Sequence, residues 1–176
     1  MSSPLELVTG RTRPTRSQVL RPAVPHDAPR LVAMFERCSP ASRYARFLAP
    51  LQHFPASHLV DVVRSSPLRH SWVVDDLETG DVVGIGSWFR NSHDAAEIGL
   101  LVEDGRQRSG LGGALLDELA ASARHAGITT FVAHTLSDSR HVHRMLRRVG
   151  PSTTECAGIT CTLHVSLVDE AHALAG

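Results

Sequence analysis

The stretch from Ala96 to Gly127 constrains the fold of this chain more than any other. An apolar, strand-like segment, Ala96 to Val102, leads through Glu103-Asp104-Gly105 into a Gly-rich turn, Gln107-Arg108-Ser109-Gly110-Leu111-Gly112, and then into a long helical pattern that ends at Gly127. Leu111, Ala114, Leu115, Glu118, Leu119, Ser122 and Ala123 fall on the i, i+3, i+4 rows of that helix, so one face is largely apolar and must be covered. Gly127 is placed to cap its end. A Gly-rich turn between a strand and a helix leaves backbone N–H groups unpaired at the positive end of the helix dipole, and such a turn binds anions. Glycine at 110 and 112 lets a phosphate reach the backbone, because no side chain intervenes and positive φ is cheap.

The flanking chain supplies the other layers. Residues 1–15 carry no periodicity and read as a tail, followed by a short strand at Gln18-Val19-Leu20-Arg21. Asp27, with Pro29 just inside, signals a helix start through its carboxylate, and a helix from Ala28 to Cys38 follows with Leu31, Met34 and Phe35 on one face. Ser39-Pro40 repeats the signal for a helix over Ala41 to Phe47, and Phe54-Pro55 opens a third through Leu59, Val62 and Val63. The period then changes: Trp72-Val73-Val74 and Val82 to Phe89 form a hairpin about the turn Glu78-Thr79-Gly80-Asp81. After the long helix come a strand at Thr129 to Thr135, a helix at Asp138 to Arg148, a strand at Ile159 to Leu167 and a tail over 169–176. The order predicts a single α/β domain over 16–168, with a mixed sheet flanked by helices.

Composition excludes several function classes. At 176 residues, 42% hydrophobic and 20% charged, the chain suits one well-buried core. Lys+Arg and Asp+Glu both number 18, so there is no net attraction to nucleic acid or to an anionic membrane. Arg140, Arg144, Arg147 and Arg148 lie at helical spacing and read as a solvated face, one that can also meet the phosphates of a nucleotide cofactor. Cys38, Cys156 and Cys161 are odd in number and lack CxxC spacing, which predicts reduced thiols with neither a disulfide framework nor a zinc site. His141 and His143 point apart on a helix, so no metal is expected. No apolar run approaches the roughly 20 residues of a membrane span, and no secretory signal is present, so a cytoplasmic location is expected.

Two familiar phosphate loops fail on named positions. A dinucleotide fingerprint starting from Gly110 and Gly112 would need a third glycine where Leu115 stands, and the Gly-Lys-Ser/Thr triplet of an NTP-binding loop is absent. The stretch VEDGRQRSGLGGALL, Val102 to Leu116, instead matches (Gln/Arg)-x-x-Gly-x-(Gly/Ala) and resembles the Gcn5-related N-acetyltransferase family. The resemblance extends from about Gln18 to Leu167 and implies that family's fold, with a mostly antiparallel central sheet. By that likeness, acetyl-CoA is the co-substrate. Its pyrophosphate falls on Gln107, Arg108, Ser109, Gly110, Leu111 and Gly112, with Gly113 and Ala114, and its pantetheine arm on Leu100, Leu101 and Val102. Further on, Ser139 takes the place of the family's Asn and Leu146 that of its Tyr, so the usual tyrosine acid is missing.

Transfer to an amine requires a base for the ammonium proton. Glu97, ten positions before Gln107, resembles the catalytic glutamate of the bacterial protein-lysine branch, and alternation places Glu97, Gly99 and Leu101 on one face. By analogy a strand amide near Leu101 meets the acetyl carbonyl. Asp94 is an alternative base, and His134, at the end of a strand expected to splay at the cofactor cleft, is a second-tier proton carrier. Ser39 to Phe47, SPASRYARF, resembles a segment of Pat-type bacterial protein acetyltransferases and implies that Tyr44 and Arg46 line the acceptor site. From the few residues before Gln18, the cyclic-nucleotide module that such enzymes can carry is not expected here. The expected function is acetyl transfer to a primary amine by direct attack in a ternary complex, with protein lysine favoured as acceptor over a small amine. A non-catalytic acyl-CoA sensor is the rival, and homodimers are expected only by analogy.

Overall fold

The computed structural model describes residues 17–168, and the expected tails, 1–15 and 169–176, lie outside the described residues. In chain order the elements are β1 (Gln18–Pro22), α1 (Ala28–Arg37), α2 (Pro40–Phe47), α3 (Ala56–Val62), β2 (Arg69–Asp76), β3 (Val82–Arg90), β4 (Ala95–Val102), α4 (Leu111–His125), β5 (Thr130–Leu136), α5 (Arg140–Arg147), β6 (Ser152–Ala157) and β7 (Thr160–Ser166). The sheet order is β1-β2-β3-β4-β5-β7-β6. Every neighbouring pair is antiparallel except β4 with β5, which gives the mixed, mostly antiparallel sheet that the sequence predicts.

Alternation along β4 divides the core into two layers. Ala96 and Ile98 pack with Leu116, Leu119, Ala120 and Ala123 of α4. Leu101 packs with Leu31, Met34 and Phe35 of α1 and Val62 of α3. The glycine at 86 lets α4 approach β3, since a Cβ there would lie 2.9 Å from Leu119 Cδ1. Pro40 sits in the first turn of α2, whose N-cap Ser39 accepts a hydrogen bond from Ser42 N at 3.2 Å.

Two expectations are corrected and one strand is added. Asp27 does not cap α1. Its buried carboxylate accepts from Arg21 Nη1 and Nη2, each at 2.7 Å, from Val24 N at 2.9 Å and from Arg30 Nη1 at 3.1 Å. β6 was not anticipated, because it is a polar edge strand, Ser152-Thr153-Thr154-Glu155, with no apolar alternation to mark it. Cys156 and Cys161 are not free thiols: they pair across the β6–β7 hairpin and are joined by a disulfide, leaving Cys38 as a buried thiol. An odd count does not prevent one cross-strand pair.

Burial raises the Asp27 pKa, but hydrogen bonds from Arg21 and Val24 and the charges of Arg21 and Arg30 more than offset this and hold it below the usual carboxylate value. Its stabilisation is therefore present above the ordinary carboxylate range and is lost as pH falls through the depressed value. Asp27→Ala is expected to cost about 2–3 kcal/mol, because the guanidinium groups of Arg21 and Arg30 lose a shared buried partner. Urea unfolding at pH 7 measures it, and the difference from wild type should shrink in acid.

Candidate active site

The pairing of β4 sets the site. Parallel pairing with β5 runs only from Ala95↔Thr130 to Ile98↔Ala133, whereas antiparallel pairing with β3 continues to Gly84↔Val102. β5 follows β7 instead, with His134 to Leu136 paired to Thr160 to Thr162. From Gly99 to Val102 one side of β4 therefore has no strand partner, and a wedge opens between β4 and β5.

Hydrogen-bond phase decides which main-chain groups face this wedge. Asn91 N donates to Ala95 O at one end of the β3–β4 ladder and Glu103 N donates to Val83 O at the other. With constant register between them, every second β4 residue pairs with β3, so Glu97, Gly99 and Leu101 do so, while Ile98, Leu100 and Val102 turn N–H and C=O toward β5. The Leu101 N–H is thus directed at Ile85, across the ladder. Leu100 is the residue whose N–H looks into the wedge where β5 has departed.

The Gly-rich loop closes the wide end. Gln107 Nε2 donates to Val102 O and to Ser42 Oγ, each at 3.0 Å, and Ser109 Oγ donates to Arg106 O at 2.5 Å. Arg108 (φ 59°) and Gly110 (φ 88°) both take left-handed conformations as the chain turns into α4. The first helical bond is Ala114 N to Gly110 O at 3.0 Å, so the amides of Leu111, Gly112 and Gly113 have no helical partner. Leu111 itself is buried and anchors the loop in the core. α5 packs close to these amides. A Cβ on Gly112 would lie 3.3 Å from Met145 Sδ, and one on Gly113 would lie 3.4 Å from Arg148 Nη1.

The Ser-Pro-x-Ser segment is tied to this loop. Asp104 accepts from Ser39 N at 2.8 Å, Ser39 Oγ at 2.7 Å and Ser42 Oγ at 2.8 Å. Burial pushes the Asp104 carboxyl up, and those hydrogen bonds pull it below its usual value on balance. The start of α2 is thereby fixed against the segment that holds the free helix amides, a link no local pattern reveals.

Against β4, on the side that α2 and α3 cover, a cavity of about 440 Å³ is lined by Arg46, Phe47, His58, Phe89, Glu97 and His134, among others. Glu97, Arg46 and His134 line the same cavity. Tyr44 does not line it, and Asp94 is tied into the preceding turn, where its Oδ1 accepts from Ser92 Oγ at 3.1 Å. The Glu97 carboxylate is exposed and makes no hydrogen bond or ion pair among the described residues. Arg46 lies flat on Gly99, where a Cβ would be 2.1 Å from its Cζ, and that Cζ is 4.8 Å from the Phe47 ring centroid. Its Nη2 is 3.4 Å from His58 Nε2. Burial pushes the Arg46 pKa down to about 10, opposed by the charge of Glu97. Burial, aided by Arg46 and opposed by Asp61, pushes His58 down to about 4, which keeps this imidazole neutral at pH 7.

Ser139 flanks α5 and makes no side-chain capping bond. Leu146, at the tyrosine place, is 1% exposed and belongs to the core, so that position faces inward here. His143 Nε2 pairs with Thr135 Oγ1 at 2.7 Å, and His134 Nδ1 with Thr162 Oγ1 at 3.1 Å. Among the described residues there is no group of three or more His, Cys, Asp or Glu able to hold a metal, and no helix long and apolar enough to cross a membrane. His58 and Gly99 were missed from sequence, because their roles depend on contacts with Arg46 across the fold.

Comparison with known proteins gives the family. The sequence profile of the acetyltransferase (GNAT) family matches residues 29–150. The chain belongs to the GNAT acetyltransferase family. The GNAT domain of S. lividans PAT is 27% identical with a TM-score of 0.75, covering 84% of this chain and 89% of that one. Acetyltransferase Pat of Mycolicibacterium smegmatis is 28% identical over 135 residues, which is 74% of this chain but 40% of that protein, so this GNAT chain spans less than half of that curated relative. YncA from Salmonella typhimurium, solved with its cofactor acetyl-CoA, shares the GNAT fold at 20% identity with a TM-score of 0.70, covering 89% of this chain and 97% of that one.

Proposed function

We propose that this GNAT chain transfers the acetyl group of acetyl-CoA to a primary amine by direct attack in a ternary complex. The observation that carries this reading is the wedge between β4 and β5, with unpaired main-chain groups on one side, free helix amides at its wide end and a carboxylate-bearing cavity beside it. The amides of Leu111 to Gly113 and the nearby Arg148 suit a pyrophosphate. The unpaired edge of Leu100 to Val102 suits the amide-bearing pantetheine arm.

Leu100, rather than Leu101, is the donor to the acetyl carbonyl, since its N–H faces the wedge. Glu97 takes the ammonium proton, directly or through water. The neutral nitrogen then attacks the thioester carbon, the C–S bond breaks, the nitrogen gives up its second proton to solvent, and the thiolate takes a proton from solvent, because Leu146 offers none. By the family likeness Ser139 serves the cofactor, and His134, which lines the same cavity as Glu97, can hydrogen-bond a bound group.

Two acceptors compete. The Pat-type segment favours a protein lysine, whereas a cavity carrying its own cation favours a small amine. Release of CoA thiol from acetyl-CoA, measured across small amines and lysine peptides, tests the function. Acceptor-dependent release is expected, and tight acetyl-CoA binding with no release on any acceptor would support the sensor instead.

A further inference from the structure

A guanidinium carries five N–H donors in a planar fork and is costly to withdraw from water unless those donors are met. Arg43, Arg90 and Arg124 also turn into the fold, and each donates to main-chain carbonyls: Arg43 to those of Glu36, Cys38 and Gln52, Arg90 to that of Ala126, Arg124 to that of Leu167. Arg46 differs. It is half-buried in the cavity beside Glu97, and among the described residues its one hydrogen-bonding contact is the ring nitrogen of His58 at 3.4 Å. No carboxylate lies within ion-pair distance of it among the described residues, and Asp61, on the same cavity wall, is already paired with Arg69.

The surroundings hold this cation in place without neutralising it. Phe47 lies under it, the neutral His58 ring packs among Phe47, Phe54 and Phe89, and the absence of a side chain at Gly99 lets the fork rest on β4. Glu97 stands two residues from Gly99 on the same face of the strand, about 6–7 Å along it. The cavity thus offers an anionic and a cationic group placed within two strand residues of each other, as a small amine carrying its own anion would need. A planar fork matches a carboxylate or a similar oxyanion in a bidentate manner.

We propose that Arg46 is the recognition group for an anionic substituent of the acceptor, so that this enzyme acetylates a small amine bearing a carboxylate or comparable oxyanion within a few bonds of its nitrogen. The inference rests on the reading of this cavity as the acceptor site. A lysine side chain would pass Arg46 with methylenes alone and leave the fork unmet, whereas an amino carboxylate satisfies Arg46 and presents its nitrogen to Glu97.

Matched amines test this with the full chain and acetyl-CoA: β-alanine against ethylamine, γ-aminobutyrate against propylamine, and a lysine peptide, read as initial rates of thiol release. The expected result is a kcat/KM at least about 100-fold higher for the carboxylate-bearing member of at least one pair, carried mainly by KM. Arg46→Met should collapse that ratio toward one. Gly99→Ala, which displaces the guanidinium without deleting it, should do the same, and a melting curve for each variant reports folding. Equal rates within every pair, or the lysine peptide as best acceptor, would overturn the Arg46 inference while leaving N-acetyl transfer intact. A wild-type ratio that survives in both folded variants would also overturn it. No release with any amine, despite acetyl-CoA binding, would overturn both readings.

Discussion

Glu97→Gln is expected to lower turnover about 10²–10⁴-fold at neutral pH, because the amine must then lose its proton without a positioned carboxylate. The isosteric amide keeps the volume at the cavity wall and removes only the basic function, so acetyl-CoA affinity and the melting temperature should stay close to wild type. The deficit should narrow as pH rises toward the acceptor's own pKa, where solvent supplies the neutral amine. Initial rates at several pH values with a saturating acceptor measure both effects. If the variant matched wild type throughout, proton removal would belong to another group, with His134 an alternative on the same cavity.

The second large effect concerns a backbone atom. Leu100→Pro deletes the N–H that faces the wedge and is expected to reduce turnover about 10²–10³-fold, the usual cost of losing one donor to a developing oxyanion. Proline is tolerable in that position because the deleted group pairs with no strand, whereas Leu101→Pro would break the β3–β4 ladder and destabilise the protein. Leu100→Ala is the control. It removes the same side-chain packing against α4 but retains the amide, so it should lose stability and keep most of its rate. Parallel rate losses in the alanine and proline variants would assign the effect to packing.

These two residues show where sequence reasoning reaches and where it stops. The amphipathic helix, the Gly-rich turn and the β2–β3 hairpin were readable because each is written in a local period: Leu111, Leu115 and Leu119 on one helix row, Val82 to Phe89 about a turn. Alternation also placed Glu97, Gly99 and Leu101 on one face. It did not say which of Leu100 and Leu101 donates toward β5, because that depends on the phase of the β3–β4 hydrogen bonds, which is set by pairing across the sheet. Asp27 reads as a helix cap until Arg21 and Arg30 arrive from either side, and β6 is polar because one edge of it is never covered. The SPASRYARF segment pointed to the acceptor side, yet its residues divide among distinct tasks. Ser39 and Ser42 hold Asp104, Arg43 braces three carbonyls, and Arg46 enters the cavity over Gly99.

Amide hydrogen exchange at β4, followed residue by residue by NMR with and without acetyl-CoA, tests the central claim most directly. In the free protein Leu100 should exchange fast and Leu101 slowly, since one faces the wedge and the other pairs with Ile85. Saturating acetyl-CoA should slow Leu100 and Val102 strongly and leave Leu101 unchanged. Protection of Leu100 in the free protein, or no change there on adding acetyl-CoA while the cofactor binds, would contradict the assignment of this wedge as the acetyl site.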